Sequence, residues 1–288
     1  MSTDYSIVTI VKHRTQQLSH LISSIECSSL LPKEMVIVWM TSPSEESLRR
    51  SDFFNIVHRF ATCEELPISK ARNRGFDACT TQKVIYLDVD CMCPEYLLEE
   101  LAGLLTDGNV VTANTISPNT ISYSGSVSAK PFTSPAISAP EKVPFVEFDS
   151  TLFGITRSDF EHVGGFDTDY SGFGIGDYDF AMRCSKAGLF LLNSGRYVYK
   201  QFHVHYNPPV NHLCDLVANA ALFKQKWGAY PACEWFTQFA DLGLINPDFK
   251  DAGMRASRLV SEEEMTQYLV KHPSVEQTSS PIKLLQSA

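Results

Sequence analysis

Short β-branched runs alternating with segments of helical periodicity constrain this chain most. YSIVTIV near the N-terminus is one such run; Leu18, Leu21, Ile22 and Ile25 follow at helical spacing, and EMVIVWM returns as a second buried strand. The scheme repeats through FNIVHRF, a helix across ARNRGFDAC, the strand VIYL, and PEYLLEELAGLL with Pro94 suited to a helix's first turn; NVVTAN closes the half. Strands alternating with helices specify an α/β fold with a largely parallel sheet flanked by helices. In such sheets ligands bind beyond the carboxyl ends of the strands.

The second half continues with VEFDSTLFGITRSDF, a glycine-rich acidic segment, a helix from about Tyr178 to Lys186 stopped by Gly188, and the strand LFLLN. NHLCDLVANAALFKQKWG reads as an amphipathic helix ending at Gly228. Between Asn114 and Pro144 the composition turns to Ser, Thr and Pro, the mark of a long irregular loop that is either disordered or a functional lid. This divides the chain into one domain over 1–253, with halves at about 1–113 and 145–253 around the loop 114–144, and a polar, peripheral tail at 254–288.

Composition excludes several classes. With 24 Lys and Arg against 33 Asp and Glu the net charge is −9, so nothing points to a general polyanion-binding surface and no nucleic-acid partner is expected. A local basic pocket for one diphosphate is compatible with that balance. No apolar run approaches the roughly 18 residues of a membrane span, and the N-terminus reads as a first strand, not a signal peptide. The eight cysteines are scattered, as in reduced thiols of a cytoplasmic protein, and Cys91 and Cys93 lack a second pair at zinc-site spacing.

Four groups of residues carry chemistry. Asp88 and Asp90 stand where the strand VIYL leaves the sheet, a placement that suits a hard divalent cation completed by substrate phosphates; a solvated turn is the plain alternative. Gly172, Gly174, Gly176, Asp177 and Asp179 form a glycine-rich turn into a helix, where the dipole holds an acid ionised; the alternative is an N-cap. His203 and His205 end an apolar run, and their alternation lets at most one face a given site. Lys12, His13 and Arg14 end the first strand, and Lys70, Arg72, Asn73 and Arg74 open a helix, as a diphosphate site requires, or as surface charge.

The order VTIVKHR, SKARNRGF, VIYLDVDC, LFGITRSDFEHVGGFDTDYSGFGIGDYDFAMR and a His before Pro-Pro resembles family 2 glycosyltransferases with a galactosyltransferase-type C-terminal module, and more distantly the β-1,4-galactosyltransferases, over about Tyr5 to Ile245. The resemblance implies a GT-A fold with a Rossmann-like half, a UDP-sugar donor, manganese or magnesium, and inversion at the anomeric carbon. It implies Asp90 as direct metal ligand, Asp88 at the ribose or supporting the metal, His203 as a further ligand with His205 as fallback, and Asp177 as catalytic base. Lys12, Arg14, Arg72 and Asn73 would face the donor; Phe173, Gly174 and Asp179 the acceptor, a glycan, glycolipid or small molecule. A lipid-linked acceptor would bring peripheral membrane contact at the inner face.

Two departures stand out. Phe173 replaces the family's sugar-stacking Trp and Gly176 its acceptor-contacting Glu. A catalytically impaired nucleotide-sugar-binding protein is therefore one rival reading, and a metal-dependent nucleotidyltransferase or phosphohydrolase the other.

Overall fold

A computed structural model describes residues 4–61, 66–116 and 138–271. β1 (Tyr5–Val11) is buried at every position, α1 (Thr15–Glu26) turns Leu18, Leu21, Ile22 and Ile25 inward, and β2 (Glu34–Trp39) is again wholly buried. β3 (Asn55–Phe60), α2 (Ile68–Asp77), β4 (Lys83–Leu87), β5 (Cys91–Met92), α3 (Leu97–Leu104) and β6 (Asn109–Ile116) complete the first half. The second half holds β7 (Glu141–Val143), β8 (Leu152–Thr156), α4 (Arg157–Val163), α5 (Gly176–Lys186), β9 (Phe190–Lys200), β10 (His205–Tyr206), α6 (Leu213–Trp227), α7 (Glu234–Asp241), α8 (Phe249–Ala252), α9 (Glu262–Met265) and β11 (Leu269–Val270).

The nine-stranded sheet has the order β3-β2-β1-β4-β8-β6-β9-β5, with β7 also pairing β9. β1, β2, β3 and β4 are mutually parallel, β8 runs antiparallel between β4 and β6, and β6 and β9 are parallel. Six strands thus point one way, and the carboxyl ends of β1, β4, β6 and β9 share an edge with the start of β8. That geometry alone brings residues near 12–14, 88–90, 149–151 and 200–203 together. One apolar core lies between the sheet and α1 and α3, a second between the sheet and α2, α4 and α5. A third forms where α6 and α7 pack on Tyr170 and Ile175.

Several boundaries differ from the expectations. LFLLN is the start of the longer β9, because NSGRYVYK keeps pairing with β6 across an irregularity between Thr112 and Asn114. Pro94 precedes α3 in a turn closed by Leu97 N–H on the Pro94 carbonyl, and α5 starts at Gly176. Of the loop 114–144, residues 114–116 extend β6 and 141–143 form β7; 117–137 lie outside the described residues. Packing continues past residue 253: Met254 and Val260 are buried in the third core and β11 pairs with β10, so residues 254–271 are not a peripheral tail, while 272–288 lie outside the described residues. Among the described residues no helix is long and apolar enough to cross a membrane.

Candidate active site

Asp90 sits fully buried in the turn between β4 and β5, where its carbonyl accepts the Gln201 N–H at 2.7 Å. Its Oδ2 takes the Arg14 guanidinium and stands 3.3 Å from His203 Nε2; Oδ1 is buried with no partner among the described residues. Burial and the neighbouring Asp88 push the Asp90 carboxyl up to about 7 against the pull of Arg14 and Lys200. Burial and Arg14 hold the His203 imidazole down to about 4, so it is neutral at physiological pH. Lys200, at the end of β9, stays charged despite burial because Asp88, Asp149 and Asp90 act on it. Asp88 is half-buried, with Oδ1 capping the Val89 N–H at 2.8 Å.

Of the two histidines, His203 is the one at Asp90. His205 turns Nδ1 back to the His203 carbonyl at 2.9 Å and belongs to the small β10–β11 sheet. Among the described residues no three His, Cys, Asp or Glu side chains converge tightly enough to hold an ion by themselves. An orphaned buried carboxylate oxygen beside a neutral imidazole nonetheless fits a divalent cation held by two side chains, with phosphate oxygens completing its shell.

Asp177 lies in the first turn of α5 with its side chain 38% exposed. Oδ1 meets the Arg72 guanidinium, Oδ2 accepts from Ser150 Oγ at 2.8 Å, and Arg72 Nη2 donates to the same hydroxyl at 2.7 Å. Arg72 is itself buried between the Tyr86 and Phe166 rings, at 5.0 and 4.8 Å from their centroids. It therefore serves Asp177 here. Asn73, also expected at the donor, bonds Phe166 in both directions at 2.8 Å and clamps the Gly164–Phe166 turn.

The acceptor-side expectations are redistributed. Asp179 is fully buried, with Arg183 Nε at 2.7 Å, Lys226 Nζ at 2.8 Å and Trp227 Nε1 at 2.9 Å, so it locks α5 to α6 and presents no carboxylate to a ligand. Phe173 is stacked under His212, with centroids 4.4 Å apart, and leans on Trp235. Gly174 packs where a Cβ would lie 2.6 Å from Leu216. Lys12 is exposed, and its charge acts on His212. Sequence reasoning missed Ser150, Lys200, Asp149, His212 and Asp215; the strand ends FDS and VYK were the available signal for the first three.

A family model described as glycosyl transferase family 2 matches residues 6–164. The chain belongs to glycosyl transferase family 2. A second model, described as the N-terminal domain of galactosyltransferase, matches residues 137–203. No curated protein matches the chain. Among solved structures it is similar to GalNAc-T7, determined with UDP, GalNAc and Mn2+, at 15% identity and TM-score 0.54, over 69% of this chain and 43% of that one. It is also similar to S. aureus TarS 1–349, at 14% identity and TM-score 0.53, over 77% of this chain and 65% of that one. The chain thus spans less than two thirds of either structure, and the shared feature is the GT-A fold.

Proposed function

We propose that the chain transfers a hexose, of galactose or N-acetylgalactosamine type, from a UDP-sugar to a hydroxyl of a glycan, glycolipid or small-molecule acceptor, with manganese or magnesium and with inversion. The observation that carries this reading is the meeting of Asp88, Asp90, His203, Arg14 and Lys200 at the carboxyl edge of a family 2 sheet. The galactosyltransferase model and a relative solved with UDP, GalNAc and Mn2+ support the donor class. The donor half is about residues 1–113 and the acceptor half about 145–253.

In this mechanism Asp90 and His203 would hold the ion, which would offset negative charge on the donor diphosphate. Arg14 and Lys200 contribute fixed positive charge beside it. Arg72 and Ser150 orient Asp177 at the start of α5, and Asp177 takes the proton from the acceptor hydroxyl as that oxygen attacks the anomeric carbon and UDP departs. One displacement inverts the centre. General-base assistance typically contributes about 10² to 10⁴-fold, so Asp177→Asn should lower transfer by that order while leaving UDP affinity intact. A coupled UDP-release assay over a panel of UDP-sugars and acceptors tests it; full transfer by the variant would refute the assignment.

A further inference from the structure

His212 and Asp215 form a polar pair beside Phe173 that the proposed transfer does not use. His212 closes the short turn before α6 and Asp215 lies in that helix's first turn. His212 Nδ1 is 3.4 Å from Asp215 Oδ2, which also accepts the Phe173 N–H at 3.1 Å. An ionised carboxylate only accepts, so the imidazole proton belongs on Nδ1 and Nε2 keeps its lone pair. Nε2 has no partner among the described residues, and the side chain is 29% exposed. Burial and the charge of Lys12 outweigh Asp215 and hold the ring below the usual histidine range, hence neutral.

The ring's placement is fixed from below. Phe173 stacks against one face at an interplanar angle of 18°. Asn219, further along α6, donates to the carbonyls of Ser171, Phe173 and Gly174 at 2.8, 3.3 and 3.1 Å. One face of Phe173 is thus covered, and the ring laid over it is His212.

We propose that His212 is a specificity-determining contact for a hydroxyl-rich ligand, with Nε2 accepting a hydrogen bond from a sugar hydroxyl and Asp215 acting as the positioning residue that sets the tautomer. A neutral acceptor atom on a ring backed by the Asp215 carboxylate suits a hydrogen-bond donor such as a sugar hydroxyl and disfavours a phosphate or carboxylate. The proposal rests on the glycosyl-transfer reading for the ligand's class, but its test is separate.

The test uses the full chain with UDP and manganese, titrated with glucose, galactose, N-acetylglucosamine and N-acetylgalactosamine, while the imidazole 15N resonances are followed by NMR. At least one sugar is expected to move the His212 Nε2 resonance. For that sugar His212→Phe, which keeps the stack on Phe173, should lose about two- to tenfold in affinity, the worth of one neutral hydrogen bond. His212→Gln, which restores an acceptor at that reach, should recover part of the loss, and Asp215→Ala should abolish the preference for Nδ1–H in the same spectrum. UDP affinity should be unchanged in all three. The proposal is overturned if no sugar moves His212, or if the Phe variant binds the responding sugar as tightly as the parent. Failure of UDP to bind would sink the transfer reading while a sugar response at His212 would still stand.

Discussion

Replacing Gly172 by alanine tests whether the glycine loop before α5 is held in place by α6. Gly172 has φ +69°, and a Cβ there would lie 2.4 Å from the Asp215 carboxylate. The left-handed conformation costs an L-residue about 1–2 kcal/mol. Asp215 must also withdraw and give up the Phe173 N–H at 3.1 Å, and a hydrogen bond to a charged group is worth about 1.5–3 kcal/mol. The sum is about 2.5–5 kcal/mol. Gly188 is the control: its φ is +81° but a Cβ there would meet nothing within 4 Å, so Gly188→Ala should cost only the conformational part, about 1–2 kcal/mol. Urea midpoints at unchanged m-value measure both. Gly172→Ala should also weaken the sugar response at His212 and leave UDP binding intact, because the donor-side groups lie on other elements. Equal costs for the two alanines would refute the claim that Asp215 pins the loop.

Other consequences follow from the same contacts. Asp179→Ala strips a buried carboxylate from Arg183, Lys226 and Trp227 and should cost about 3–5 kcal/mol in denaturant unfolding, with UDP affinity unchanged; a cost below about 1 kcal/mol would contradict the locking role. Arg14→Ala frees Asp90 Oδ2 of its present cation and should tighten manganese binding measured by electron paramagnetic resonance; weaker binding would show that Arg14 supports the ion. With metal chelated, Asp90 and His203 give stability slopes of opposite sign. His203, lowered to about 4, binds fewer protons folded than unfolded between pH 4 and 6.5, so its contribution falls as pH falls through that window. Asp90, raised to about 7, binds more protons folded than unfolded from about pH 4 to 7, so its contribution falls as pH rises. Asp90→Asn should leave a loss of stability on acidification and His203→Gln a loss on raising pH, read from urea midpoints; unchanged slopes in both would contradict the burial of this pair.

The strand and helix pattern and the meeting of Asp88, Asp90 and His203 were legible in the chain because both depend on topology: parallel strands must end on one edge. Side-chain partners were less so. Asp177 and Asp179 look alike in a motif, yet residues two apart on a helix face in different directions. With Asp177 turned to Arg72, Asp179 is carried into α6. Asn73, one residue from Arg72, is likewise rotated onto the Gly164–Phe166 turn. Ser150, Lys200 and His212 belong to no motif and owe their places to β8, β9 and α6 packing against elements far along the chain. The pairing of β11 with β10 was hidden because LV within a polar stretch carries almost no strand signal.

Calorimetric titration of UDP into the purified chain, with manganese and with chelator, and repeated on Asp90→Ala, tests the central claim most directly. The account predicts binding that requires both the ion and Asp90. Absence of binding under every condition, or binding indifferent to manganese and to Asp90, would contradict it.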